Sequence, residues 1–117
     1  MNITSKTDEE IVSIADPIWE NLTQGSNEIN YKKFSRHFSR AMLTSVPEEE
    51  LKRQFEINHR EVGLISSERK FIGCIRREAA ITVLWKGHFT IGKGERLAQI
   101  TLGEEDGEIK VLGAFIG

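Results

Sequence analysis

The chain holds one cysteine, one tyrosine and two prolines, and its 16 Lys plus Arg are set against 18 Asp plus Glu. Each shortage excludes something. A lone Cys74 makes no intrachain disulfide, so stability has to come from a packed core and nothing depends on an oxidising compartment. A formal charge of −2 removes the electrostatic footprint that nonspecific binding to nucleic acid or a membrane surface requires. No uninterrupted apolar run approaches the roughly 18 residues of a membrane span. The first ten residues show no basic segment followed by an apolar run, so no signal peptide is visible; cytoplasmic residence is the expectation, with export of a trimmed form left open. Asn2-Ile-Thr4 and Asn21-Leu-Thr23 satisfy the glycosylation triplet, which has no meaning without secretion. At 117 residues the chain is too short for a doubly wound dehydrogenase, a kinase or a barrel enzyme.

What is present is apolar branching. Ile, Leu, Phe and Val together make 33 residues, enough to bury a core and too many for a disordered chain. Nine of the ten glycines follow residue 60, whereas both prolines and the acidic runs with helical spacing precede it. Helices first and strands second predict an α+β domain over 8–117, behind a flexible N-terminus over 1–7, instead of alternating βαβ units.

Three helices are predicted. Thr7 and Glu10 have the spacing of a capping box, in which each side chain satisfies the other's orphan backbone donor. Ile11, Ile14, Ala15, Ile18, Trp19 and Leu22 follow at steps of three and four and trace one buried face to a stop at Gly25. Pro17 predicts a kink, or a restart with Asp16 as cap. Asn30 caps a second, short helix with Tyr31, Phe34 and Phe38 on one side and Lys32, Lys33, Arg36 and Arg40 on the other. Ser45 as cap, Pro47 and the acids Glu48, Glu49 and Glu50 suit the start of a third, with Leu51, Phe55 and Val62 as its buried stripe and Gly63 as its left-handed terminator.

From Arg69 the period falls toward two. Four strands are predicted at about 69–77, 79–91, 95–104 and 108–116, joined as an antiparallel meander through Gly92-Lys-Gly94 and Glu105-Asp-Gly107. Alternation sends Phe71, Ile75, Ile81, Val83, Trp85, Phe89, Leu97, Ile109, Val111 and Phe115 to one face. It sends Ile72, Cys74, Leu84, Ile100, Leu102, Leu112, Ala114 and Ile116 to the other. A β-bulge would exchange part of the two sets. Three helices cover the first face, so the second is an unpartnered apolar surface, and Ile72, Leu84, Ile100, Leu102, Leu112 and Ile116 are the candidate face of a homodimer.

The order of elements, together with Ala15-Asp-Pro-Ile-Trp19, Val62-Gly63, Trp85-Lys-Gly-His-Phe89, Glu95-Arg-Leu-Ala-Gln-Ile-Thr-Leu102 and Asp106-Gly-Glu-Ile-Lys-Val-Leu-Gly-Ala-Phe-Ile116, resembles the nuclear transport factor two-like superfamily. This is the cystatin-like α+β cone shared by ketosteroid isomerases and many small bacterial domains. The likeness spans roughly residues 8 to 116 and is nearest the small noncatalytic members. It implies three N-terminal helices packed on a curved four-stranded antiparallel sheet, an apolar pocket between them, and dimerisation through the sheet. Many such relatives carry a signal sequence, which this N-terminus does not show.

Several motifs compete with plainer readings. Isomerase-type chemistry needs a carboxylate with a raised pKa in an apolar pocket, opposite an oxyanion donor such as a tyrosine hydroxyl. Tyr31 is the one tyrosine, and the expected inner sheet face carries no acid, so no catalytic residue is assigned. Trp19, Tyr31, Phe34, Phe38, Trp85, Phe89 and Phe115 are candidate pocket lining, though such aromatics are more often plain core. Cys74, expected opposite Thr82, has no histidine within reach and reads as a small buried hydrophobe. His37, His59 and His88 form no metal pattern. Gly92-Lys-Gly94 lacks the third glycine and following helix of a dinucleotide site, so no cofactor is expected. The segment 31–40 interleaves cations with aromatics and would suit phosphate or an acidic partner, or it is a short helix with solvated lysines. A noncatalytic, homodimeric module that binds an apolar small molecule or a protein is the leading reading. The alternative is a small ketosteroid-isomerase-like enzyme acting on an apolar substrate.

Overall fold

A computed structural model describes residues 2–45 and 47–117; Met1, the first residue of the expected flexible N-terminus, lies outside them. Among the described residues the chain is an α+β domain of four α-helices followed by a four-stranded antiparallel sheet. The helices are α1 (Asp8–Glu28), α2 (Tyr31–Phe34), α3 (Arg40–Ser45) and α4 (Glu48–Glu61). The strands are β1 (Lys70–Arg76), β2 (Ala80–Gly87), β3 (Arg96–Glu105) and β4 (Glu108–Ile116), paired in sequence order as a meander.

Local chemistry sets the helix starts. Both halves of the Thr7–Glu10 capping box form, with Thr7 N–H donating to Glu10 Oε1 at 3.0 Å and Glu10 N–H to Thr7 Oγ1 at 3.2 Å. Ile11, Ala15, Ile18, Trp19 and Leu22 are buried along the face their spacing marks. A restart at Pro17 is absent: α1 runs through it as one helix. Pro17 and Ser13, whose carbonyl loses its partner, are both exposed, which leaves that carbonyl on the solvent side of the helix. Nor does the helix stop at Gly25. It continues to Glu28 and closes with Asn30 N–H donating to Gly25 O and Ile29 N–H to Ser26 O, with Ile29 in the left-handed conformation at φ 53°. Asn30 caps α2 as expected, through Lys33 N–H at 3.1 Å.

Two further corrections concern the helices. The second helix, expected to carry Phe38 and Arg40, stops at Phe34; Arg40 instead begins α3, which runs through residues 41–44, assigned to no helix from the sequence, to Ser45, which ends a helix where it was expected to begin one. Pro47 is the cap residue of α4 and offers no side-chain acceptor, leaving Glu48, Glu49 and Glu50 to complement the dipole. Gly63 follows the last turn of α4 with φ +79°. Residues 3–5, within the stretch expected to be flexible, make a 3-10 turn whose Ile3 is buried against the sheet. Arg76 fastens that segment by donating to the carbonyls of Thr4 and Lys6 and pairing with Asp8 at 2.7 Å.

Sheet register decides which side chains meet the helices. Val83 pairs with Cys74 on one side and Ile100 on the other, and Trp85 pairs with Phe71 and Ala98. Ile81, Val83, Trp85, Ala98, Ile100, Leu102 and Val111 therefore share the inner face, each at most 1% exposed. Ile100 and Leu102, expected on the outer face, are core residues, and Cys74 faces Val83 instead of Thr82. The expected alternation fails because β3 is shifted by one residue and because bulges at Phe71/Gly73 and Thr101/Leu102 reverse parity within β1 and β4. Cys74, Ala114 and Ile116 thereby pack against the core, while Ile75, Leu97 and Phe115 face outward. The final hairpin closes on Asp106 and Gly107, both with positive φ, as a two-residue turn of this kind demands.

Trp19 and Trp85 are both buried and meet at 5.3 Å between ring centroids, so the inner sheet face and α1 share one core. Phe34 makes edge-to-face contacts with Phe38 and Phe55, which carries that core outward to α4.

Candidate functional site

Between α1, α4 and the far end of the sheet lies a cleft of about 310 Å³, within the range of small-molecule sites. From α1 come Trp19, Leu22, Ser26 and Asn27, residues on one face by helical spacing. Phe34 of α2 and Phe55 of α4 extend the aromatic wall; Gln54, Asn58 and His59 bring polar groups from α4. Gly63, Ile65, Phe89 and the end of β4 from Ala114 to Ile116 complete it.

The segment after α4 is held in place from a distance. Asn27 grips the backbone of Ile65 at both ends, its Nδ2 donating to the carbonyl at 3.0 Å and its Oδ1 accepting from the N–H at 2.9 Å. Ile65 also bridges Phe89, and Leu64 N–H donates to Thr90 Oγ1 at 2.8 Å. Gly63 is obligatory here: its φ is positive, and a Cβ would meet Ile91 Cγ1 at 2.9 Å.

Of the expected lining residues, the structure brings together Trp19, Phe34, Phe89 and Phe115. Tyr31, Phe38 and Trp85 do not line the cleft. Phe38 and Trp85 are sealed in the core behind it, and Phe38 bridges Val111 beside β4. Of the expected dimer face, Ile72 and Leu112 are exposed, Leu84 is half-buried, and Ile116 lines the cleft. Sequence reasoning missed the contribution of α4. The available signal was the four-residue step from Phe55 to His59, which puts the imidazole beside a buried aromatic.

The lining contains apolar, amide, hydroxyl and imidazole groups and no side chain of Asp, Glu, Lys or Arg. Ionic interactions lie elsewhere. Arg69, before β1, donates to Asp16 at 2.9 Å and Glu20 at 2.6 Å, one turn apart on α1, with its guanidinium 5.4 Å from the Trp85 ring centre. Burial lowers its proton affinity, but the two carboxylates outweigh that effect and hold its pKa above the usual value. This cluster ties β1 to α1. Within the basic segment, Lys33 pairs with Glu28, and Arg40 pairs with Asp106 and Glu105 of the last hairpin. Two of the cations that would suit an acidic partner are thus engaged inside the chain.

Burial pushes the Cys74 thiol up, and nearby Asp8 adds to the effect, which is the opposite of an activated nucleophile. Among the described residues no group of three or more His, Cys, Asp or Glu is arranged to hold a metal ion, and no helix is long and apolar enough to cross a membrane. Fold and cleft together define an α+β domain with an uncharged recess between its helices and its sheet. Compared with protein families and with curated proteins, the chain matches none.

Proposed function

We propose that the protein is a noncatalytic small-ligand-binding module of the nuclear transport factor two-like type, acting as a homodimer through the outer face of its sheet. The observation that carries this reading is the cleft itself, about 310 Å³ of space walled by Trp19, Leu22, Phe34, Phe55 and Phe89. An apolar molecule placed there loses water from its surface and from the aromatic walls together, and it meets no fixed charge that would have to be desolvated.

The dimer is supported by the outer face. Ile75, Leu97, Leu112 and Phe115 are all exposed on large apolar side chains, and half-buried Leu84 stands among them. At its centre the hydroxyls of Thr82 and Thr101 bond to each other at 2.8 Å, which pairs one of the two hydroxyl donors within the sheet. A stable interface needs roughly 800 Å² per partner.

Native mass spectrometry of the freshly purified protein tests both parts. The expected spectrum shows about twice the 13.3 kDa chain mass and an adduct, either carried through purification or formed on adding 2-naphthol. A bare monomer at micromolar concentration that takes up no 2-naphthol refutes the proposal.

A further inference from the structure

β4 lies at one edge of the sheet, and that edge is paired along only part of its length. Leu97 and Gly117 exchange both main-chain hydrogen bonds, each at 3.0 Å, and the register runs unbroken from there to Thr101 opposite Gly113. Bonded and non-bonded pairs alternate in an antiparallel ladder. Gly113 and Phe115 therefore turn their N–H and C=O toward β3, whereas Ala114 and Ile116 turn theirs away from it. Nearer the hairpin the chain covers this edge itself. Val111 N–H donates to His37 O at 2.6 Å and Val111 O accepts from Ser39 N–H at 3.0 Å, a parallel bridge about Phe38. Arg40 then leaves the edge for α3, and among the described residues nothing bonds to the outward main chain of Ala114 or Ile116.

This free stretch borders the cleft, since Ala114, Phe115 and Ile116 all line it. The side chains of Ala114 and Ile116 pack inward and that of Phe115 points outward. Three successive residues with alternating side chains share one space where it runs along the edge of their strand. Residues 113–117, Gly-Ala-Phe-Ile-Gly, hold neither the charge nor the proline that commonly blunts an open edge.

We infer that this edge receives an extended, uncharged peptide segment of a partner protein, which adds to the sheet as a strand beside β4 and sends one apolar side chain into the cleft. Ala114 and Ile116 offer donors and acceptors at strand spacing, which a second main chain matches and a compact apolar molecule leaves unpaired. Residues 37–39 already use the same edge in this way at Val111. Trp19, Phe34 and Phe55 receive the inserted side chain, and its neighbours in the strand point to the other face, beside Phe115. The inference rests on the cleft being a ligand site, and the probes are chosen so that the two can fail separately.

The test is isothermal titration calorimetry of the intact protein with the pentapeptide Ser-Val-Trp-Val-Ser, capped at both ends, and with its two analogues N-methylated on alternate amides. 2-Naphthol offers a bicyclic ring without a main chain. An added strand turns only alternate amides toward β4, so one analogue should bind at least about tenfold more weakly and the other within about threefold of the parent. Ala114→Pro removes an outward donor without breaking the ladder to β3; it should weaken the pentapeptide by about tenfold and keep a cooperative melt. Equal affinities of the two analogues overturn strand addition. Binding of 2-naphthol without the pentapeptide overturns the peptide class and leaves the cleft as a small-molecule site. Binding of the pentapeptide alone, with the unequal analogues, upholds the strand and removes the small-molecule reading. If neither binds, the cleft is not a ligand site and the inference falls with it. A dimer that Ala114→Pro converts to a monomer in sedimentation assigns the edge to a second copy and overturns the peptide partner. Should Ala114→Pro fail to fold by circular dichroism, the two analogues decide the matter.

Discussion

Replacing Gly25 with Ala should destabilise the protein, although in most helix interiors that change stabilises. Gly25 lies within α1, where alanine ordinarily gains about 0.5–1 kcal/mol over glycine. Here α2 crosses directly over it, and a Cβ at position 25 would lie 2.6 Å from the Cα of Phe34. Carbon atoms settle at about 3.5–4.0 Å, so α2 would have to retreat by about 1 Å. The obstacle is backbone, which cannot swing aside as a side-chain tip does. That retreat strains the bond from Asn21 Nδ2 to Lys33 O at 2.8 Å and loosens the contacts of the Phe34 ring with Phe38 and Phe55. Overpacking of this kind costs about 1–3 kcal/mol, which exceeds the propensity gain, and a larger residue such as Val should cost more than Ala. For a chain of this length each kcal/mol lowers the melting temperature by about 4 °C. Thermal melts followed by circular dichroism should therefore order the variants as wild type, Gly25→Ala, then Gly25→Val. Gly73→Ala serves as the control, since a Cβ there meets no atom within 4 Å. A Gly25→Ala protein that melts at or above the wild-type temperature would refute the close approach of α2 to α1.

Two substitutions on the sheet should separate folding from association. Ile100→Glu puts a charge into a position 0% exposed and should abolish cooperative unfolding, whereas Leu112→Lys, on an exposed position of the outer face, should keep the melt and convert a dimer to a monomer in sedimentation; a folded Ile100→Glu or an unchanged Leu112→Lys dimer would contradict the register or the interface. His37 should make the fold sensitive to mild acid. Burial, with Arg36 and Lys110 adding positive charge, lowers its pKa below the ordinary 6.5, so the folded state binds fewer protons than the unfolded state. Its contribution is then complete above about pH 6.5 and is lost as the pH falls toward the folded value. His37→Asn should flatten the decline of stability between about pH 7 and pH 5 in urea titrations, and identical slopes would refute the assignment.

The parts of the fold legible in the sequence are those decided by neighbours in the chain. A threonine three residues before a glutamate, an asparagine before Tyr31 and an Asp-Gly pair between alternating apolar residues each solve a local hydrogen-bonding or dihedral problem, and all three occur as read. Gly25 misled because glycine usually marks a helix end through its φ. Here its value is its missing Cβ, and the partner that needs the space is nine residues away. The helix instead ends at Ile29, a β-branched residue in the left-handed region that no propensity would choose. Strand faces were lost for another reason. Parity survives only while register is unbroken, and the eight residues between Gly87 and Arg96, together with two bulges, reset it twice more than alternation can follow.

The cleft was half legible for the same reason. Aromatics betray an apolar wall, so Trp19, Phe34, Phe89 and Phe115 were visible; the opposite wall depends on Asn27 holding Ile65 across 38 residues of sequence, which no local pattern encodes. Phe115 joins the two halves of the proposed function. It borders the cleft, yet it pairs with Gln99 on the outward side of the sheet and is 58% exposed. A second copy covering the outer face would bury Phe115 and fix its ring at the edge of the cleft. By linkage, a ligand that prefers the fixed ring must then strengthen the dimer by the same factor by which the dimer strengthens ligand binding.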